Sequence, residues 1–129
     1  MAVKKINKNI GKYRKKALEE LGQLHGLLKM GYLFLCVSRC YYAAFYAMKA
    51  ALESVGVKTS SHKQTQVFFR KHFIKTGEVD KSYSKIITEL FESRSKADYD
   101  IYWAANKPFA ERMIRETEKF VEEALSIAG

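Results

Sequence analysis

A chain of 129 residues that is 47% hydrophobic and 13% aromatic carries enough apolar side chain to bury a core without disulfide or metal staples, and its length is that of one domain, residues 1–129. One proline and seven glycines, scattered among runs rich in Ala, Leu, Lys and Glu, exclude a strand-and-turn architecture and point to an all-α chain. The 23 basic and 14 acidic side chains leave a formal charge of +9, which favours a polyanionic partner such as RNA, a nucleotide or an acidic protein over a cationic one, unless the lysines only solubilise the surface.

The periodicity predicts five helices. The first spans about Asn7 to Leu28, with a basic first half and an apolar edge at Leu18, Leu21, Leu24 or His25, and Leu28. The second, from about Tyr32 to Val55, is apolar and aromatic on most sides and runs into Gly56, a suitable C-terminal cap, so it is expected at the buried centre. Arg39 and Lys49 interrupt it too firmly for a membrane span. A third helix starts at Ser61, where Ser-His-Lys-Gln fits a capping box with Gln64, and reaches about Ile74. The fourth follows Asp80 as N-cap and continues to about Ala105, and the fifth follows Asn106 with Pro108 in its first turn and Phe109, Met113, Phe120, Ala124 and Ile127 on one stripe. Short connections make neighbours antiparallel, giving an up-and-down bundle of about five helices.

Cys36 and Cys40, four apart on the second helix, share a face at a separation unsuited to a disulfide and read as buried fillers of a reducing compartment. His25, His62 and His72 show no metal-ligand spacing, so neither metal nor other cofactor is expected. The opening Met-Ala-Val-Lys-Lys-Ile-Asn has no apolar signal core, which fits a cytoplasmic protein.

The unusual stretch is Arg94-Ser95-Lys96-Ala97-Asp98-Tyr99. At about 100° per residue, Ile87, Leu90, Ala97, Asp98, Ile101 and Ala105 lie within roughly 60° of Arg94, so the arginine points inward or at a partner with Asp98 one turn away to pair with it. That pair is either a helix lock or a phosphate-binding arginine oriented by a carboxylate. Arg39 reads as a snorkelling or cation–π side chain beside Tyr42 and Tyr46, or as a second cation of the same pocket. His62 and Lys63 occupy a helix first turn whose free amides favour anions, or simply cap it.

With that hexapeptide set beside Ser38-Arg39-Cys40-Tyr41-Tyr42-Ala43-Ala44-Phe45-Tyr46-Ala47, Ser61-His62-Lys63 and Phe73-Ile74-Lys75-Thr76-Gly77, the chain resembles the HEPN family, the higher eukaryotes and prokaryotes nucleotide-binding domain, and within it the small stand-alone archaeal and bacterial members. The resemblance covers about Ala17 to Leu125 and lies in the order of the blocks. It implies a helical bundle that forms a homodimer, acts beside a minimal nucleotidyltransferase in a two-component, toxin–antitoxin-like module, and binds nucleotide or RNA in a basic pocket at the dimer interface. Arg94, Asp98, Arg39, His62 and Lys63 are the residues expected to line it.

Active family members follow the arginine, four to six residues later, with a histidine, and the pair forms a metal-independent ribonuclease site. In this chain no histidine follows Arg94 within six residues, and Tyr99 stands at the place of the motif histidine. Catalysis would then use Arg94 with Tyr99, or with His62 or His72 brought from elsewhere in the fold; otherwise the chain is a non-catalytic interaction protein. Tyr99 lies roughly 140° around an unbroken helix from Arg94, so the two can share a phosphate only across a two-fold axis. Tyr99 and Tyr102 flank the motif as possible acceptors of a transferred nucleotide, although the family's tyrosine stands at an offset that holds Ile101 here.

Overall fold

The structure is a computed structural model that describes the backbone of residues 2–100 and 103–129 and the side chains from Lys8 onward outside the same gap. The expected places of Ile101 on the apolar stripe and of Tyr102 beside the motif fall outside the described residues. Seven helical segments follow one another among them: α1 (Ala2–Gly22), α2 (Leu24–Lys29), α3 (Leu33–Ser54), α4 (His62–Phe69), a π-helical turn over Arg70–Ile74, α5 (Ser82–Tyr99) and α6 (Lys107–Ala128), with no strand. They build the all-α antiparallel bundle that the periodicity predicts, and none of the described helices is long and apolar enough to cross a membrane.

α3 is the centre, packed against α1, α4, α5 and α6. Its alanines at 43, 44, 47, 50 and 51 are all at most 1% exposed, and their small side chains let the surrounding helices approach closely. Tyr41, Met48 and Leu52 fill the space toward Phe69, Phe73, Ile87, Leu90, Met113 and Phe120. Cys36 and Cys40 are buried free thiols in this core, and the Cys36 thiol donates to Leu24 O at 3.7 Å.

The element boundaries show where local signals yield to the fold. The expected first helix breaks at Gln23, where the backbone N–H turns back to Glu20 at 3.2 Å between Gly22 and Gly26, two residues that weaken helix. Its apolar edge keeps Leu21, Leu24 and Leu28 as expected and adds the buried Ala17, whereas Leu18 is half exposed and His25 is exposed. α5 ends at Tyr99 rather than near Ala105, with Asp100 extended; Asp98 and Asp100 put negative charge at the negative end of the helix dipole. The π turn after α4, closed by Lys75 N–H to Arg70 C=O at 2.8 Å, was not expected. Arg70 braces it to α5, donating to Ser84 Oγ, Ser84 O and Thr88 Oγ1 at 2.6–3.0 Å, and this anchors the segment whose first residue is His62.

Candidate anion-binding site

One stripe of α3 is neither core nor open surface. Arg39, Tyr42, Tyr46 and Lys49, spaced by three, four and three residues, are all half-buried, and the helices on either side close over them. From α1, the Tyr13 ring stacks on Tyr46 with centroids 6.4 Å apart, Lys16 Nζ stands 5.4 Å over the Tyr46 ring, and Glu20 meets Arg39. From the other side come Arg94 on α5 and His62 at the start of α4. The result is a seam of alternating cations and aromatic rings.

Arg94 takes the position that the α5 stripe assigns it. Ile87, Leu90, Ser93 and Ala97 are buried on the same helix, and the guanidinium is drawn in with them to 19% side-chain exposure. Its Nη2 donates to the Tyr42 hydroxyl at 2.9 Å, its Nε lies 3.0 Å from Asp98 Oδ2, and its Cζ stands 5.6 and 5.5 Å from the Tyr41 and Tyr42 ring centroids. The Asp98 contact is an ion pair in distance but not an aligned hydrogen bond, because the buried Nε–H has no acceptor in hydrogen-bonding geometry. Burial works against the charge, and the Tyr42 hydrogen bond with the nearby phenols and Asp98 more than offsets it, so the Arg94 pKa is raised.

His62 reaches this seam from the first turn of α4. Ser61 caps α4, its Oγ accepting from Gln64 N–H at 3.0 Å, and the turn places the imidazole 4.3 Å from the Phe45 ring centroid, nearly parallel to it. His62 Nδ1 and the Tyr41 hydroxyl form a 2.6 Å hydrogen bond. Burial pushes the Tyr41 phenol up to about 12. Burial, then Arg94 and Lys49, hold the His62 pKa below its ordinary value, so the imidazole is neutral at pH 7. Lys49 pins the approach to this turn, donating to Thr59 O at 2.8 Å and Thr59 Oγ1 at 3.2 Å.

The remaining expected residues divide. Arg39 joins the seam, its Cζ 4.9 Å over the Tyr42 ring and its Nη1 bonded to both Glu20 oxygens. Lys63 is exposed on the outer side of the first turn of α4. Tyr99 is 78% exposed at the end of α5, and within the chain it is not brought to Arg94. His72 packs edge-on against Phe68 and beside Phe73, apart from the seam. Sequence reading missed Glu20, Tyr13, Lys16 and the part of Lys49. The recurrence of Arg39, Tyr42, Tyr46 and Lys49 on one helical face was a usable signal for the seam; nothing local marked Glu20. Among the described residues no three His, Cys, Asp or Glu side chains are grouped to hold a metal ion.

Comparison with known proteins places this geometry in a family. The HEPN domain model matches residues 10–127. A UPF0332 protein of Thermotoga maritima is 34% identical over 110 residues, which are 85% of this chain and 83% of the relative. A Methanocaldococcus jannaschii protein named "Putative toxin" is 30% identical over 117 residues, 91% of this chain and 80% of that one. A UPF0332 protein of Archaeoglobus fulgidus is 32% identical over 96 residues, 74% and 76% of the two chains. The family match runs from α1 to the end of α6 and so takes in every helix that lines the seam: this chain belongs to the HEPN domain family.

Proposed function

We propose that this chain is a toxin-like HEPN protein that binds RNA in the seam centred on Arg94, as a homodimer and as the HEPN half of a two-component module with a minimal nucleotidyltransferase. The observation that carries the RNA reading is the interleaving of cations with ring faces along α3. Arg39 to Lys49 extends about 15 Å at 1.5 Å per residue, longer than one nucleotide and suited to several phosphates and bases of a single strand. A mononucleotide would use only the Arg94 end. The relatives named as toxins support the toxin-like part of the reading.

A second reading has the same site cleave RNA without a metal, and the neutral imidazole of His62 near Arg94 favours it. Arg94 neutralises the scissile phosphate. When His62 Nδ1–H donates to the Tyr41 oxygen, Nε2 is free to take the proton from a ribose 2′-hydroxyl. The 2′-oxygen then bonds to phosphorus, the bond from phosphorus to the 5′-oxygen breaks, and water protonates the leaving oxygen to yield a 2′,3′-cyclic phosphate and a 5′-hydroxyl. Tyr99 takes part only if a second protomer supplies it.

One set of purified proteins tests both readings. Fluorescence anisotropy with a labelled single-stranded RNA decamer is expected to show Arg94→Ala, verified as folded by circular dichroism, binding at least tenfold more weakly than wild type. Equal affinity would retire the seam as the RNA site. Incubation of the same proteins with RNA in EDTA is expected to give cyclic-phosphate ends with wild type and Tyr99→Phe but not with Arg94→Ala or His62→Gln. Intact RNA throughout leaves binding without cleavage.

A further inference from the structure

Two guanidinium groups flank one ring in the seam. Arg39 Cζ is 4.9 Å and Arg94 Cζ 5.5 Å from the Tyr42 ring centroid, so the two cations are no more than about 10 Å apart. Each is already held by a carboxylate, Arg39 by both oxygens of Glu20 at 3.1 and 3.3 Å and Arg94 by Asp98 at 3.0 Å. Each also keeps a buried Nε–H without an acceptor. Those two Nε–H groups are out of solvent reach, but the side chains keep partial exposure, 31% for Arg39 and 19% for Arg94, so an oxyanion between them would add charge-assisted hydrogen bonds to the guanidinium edges.

The two carboxylates differ in kind. Asp98 rides on the same helix as Arg94, one turn away, and orients it. Glu20 crosses from α1, is drawn in to 15% side-chain exposure, and holds Arg39 Nη1 with both oxygens, so a phosphate taking that nitrogen displaces it. Lys16 lies one turn earlier on α1, the spacing at which a lysine and a glutamate on one helix face pair, and it now rests over the Tyr46 ring. Glu20 thus has a second cation within reach if Arg39 is taken from it.

We propose that Glu20 is the specificity-determining residue of the seam, a carboxylate that occupies the phosphate position of Arg39 until an RNA strand engaging Arg94 and Arg39 together moves it toward Lys16. A single phosphate gains little by this exchange, because it swaps one guanidinium–anion contact for another and leaves the Glu20 charge beside it. A strand adds the Arg94 contact and its stacked bases to the balance, so Glu20 makes the site select adjoining phosphodiesters over isolated phosphates. The inference rests on the RNA-binding reading.

The test is anisotropy with the same RNA decamer over a range of salt, with AMP as competitor. Glu20→Gln is expected to bind the decamer threefold to tenfold more tightly across the salt range, with the slope of log affinity against log salt little changed, because the strand contacts Arg39 in both complexes. The gain should vanish in Glu20→Gln with Arg39→Gln. Glu92→Gln, which removes the same charge from an exposed position on α5, should not reproduce it. AMP should compete better against Glu20→Gln than against wild type. A Glu20→Gln affinity no higher than that of Glu92→Gln, a gain that survives loss of Arg39, or AMP competition equal in both proteins overturns the proposal. Binding lost in Arg94→Ala but unchanged in Glu20→Gln retires the role of Glu20 and leaves the RNA reading standing, whereas binding indifferent to both removes the two together.

Discussion

Arg94 and His62 show how burial tunes single groups in this protein. The guanidinium stays charged because its phenol and carboxylate neighbours outweigh desolvation; the imidazole, with two cations nearby and no carboxylate bonded to it, is driven the other way. That depression has a consequence for stability. The unfolded chain takes up the His62 proton as pH falls below about 6.5, before the folded chain does, so the folded state loses stability from there down to the lowered folded pKa and then levels off. Melting followed by circular dichroism between about pH 7.5 and about pH 5 should therefore show wild type losing more melting temperature than His62→Gln. Parallel losses in the two proteins would contradict the assignment. The arginine was legible as an anomaly on an apolar stripe, and so was its partner Asp98, because both belong to one helix. Tyr42 was not legible as its companion, nor Glu20 as that of Arg39, since each pair joins two different helices.

At the scale of the element, the caps were readable because they are made by neighbours in the chain. Ser61 caps α4, Asn106 Oδ1 accepts from Phe109 N–H at 2.8 Å, and Gly56 follows α3 with the positive φ of 74° that an αL cap requires. One detail of the capping box departs from expectation: Gln64 Oε1 accepts from Ser60 N–H at 2.7 Å instead of reaching Ser61. Ser61→Ala should cost about 1 kcal/mol in urea denaturation, typical of a lost N-cap. A stability equal to wild type would mean that the Lys49 and Thr59 contacts alone hold the turn. The π turn had no local signature. Arg70 selects it by bonding to Ser84 and Thr88 on α5, and propensity along the chain carries no information about that contact.

For the whole molecule the decisive fact is a central helix enclosed on most sides, with one stripe left half-buried. The alanines of α3 set how near its neighbours come, so Ala47→Leu, which inserts three carbons at a fully buried position, should destabilise the fold by about 1–3 kcal/mol in chemical denaturation. An unchanged midpoint would show slack in the packing that the buried core does not suggest. The sequence by itself determined the helical class, the caps, the buried central helix, the inward arginine with its aspartate, and the family, since each is written in spacing along one segment or in the order of segments. Only the tertiary structure decided which groups meet. The contacts of Arg94 with Tyr42, His62 with Tyr41 and Arg39 with Glu20 join residues 52, 21 and 19 positions apart. A helical period states which side chains share a face, but which faces come together depends on how the bundle packs around α3.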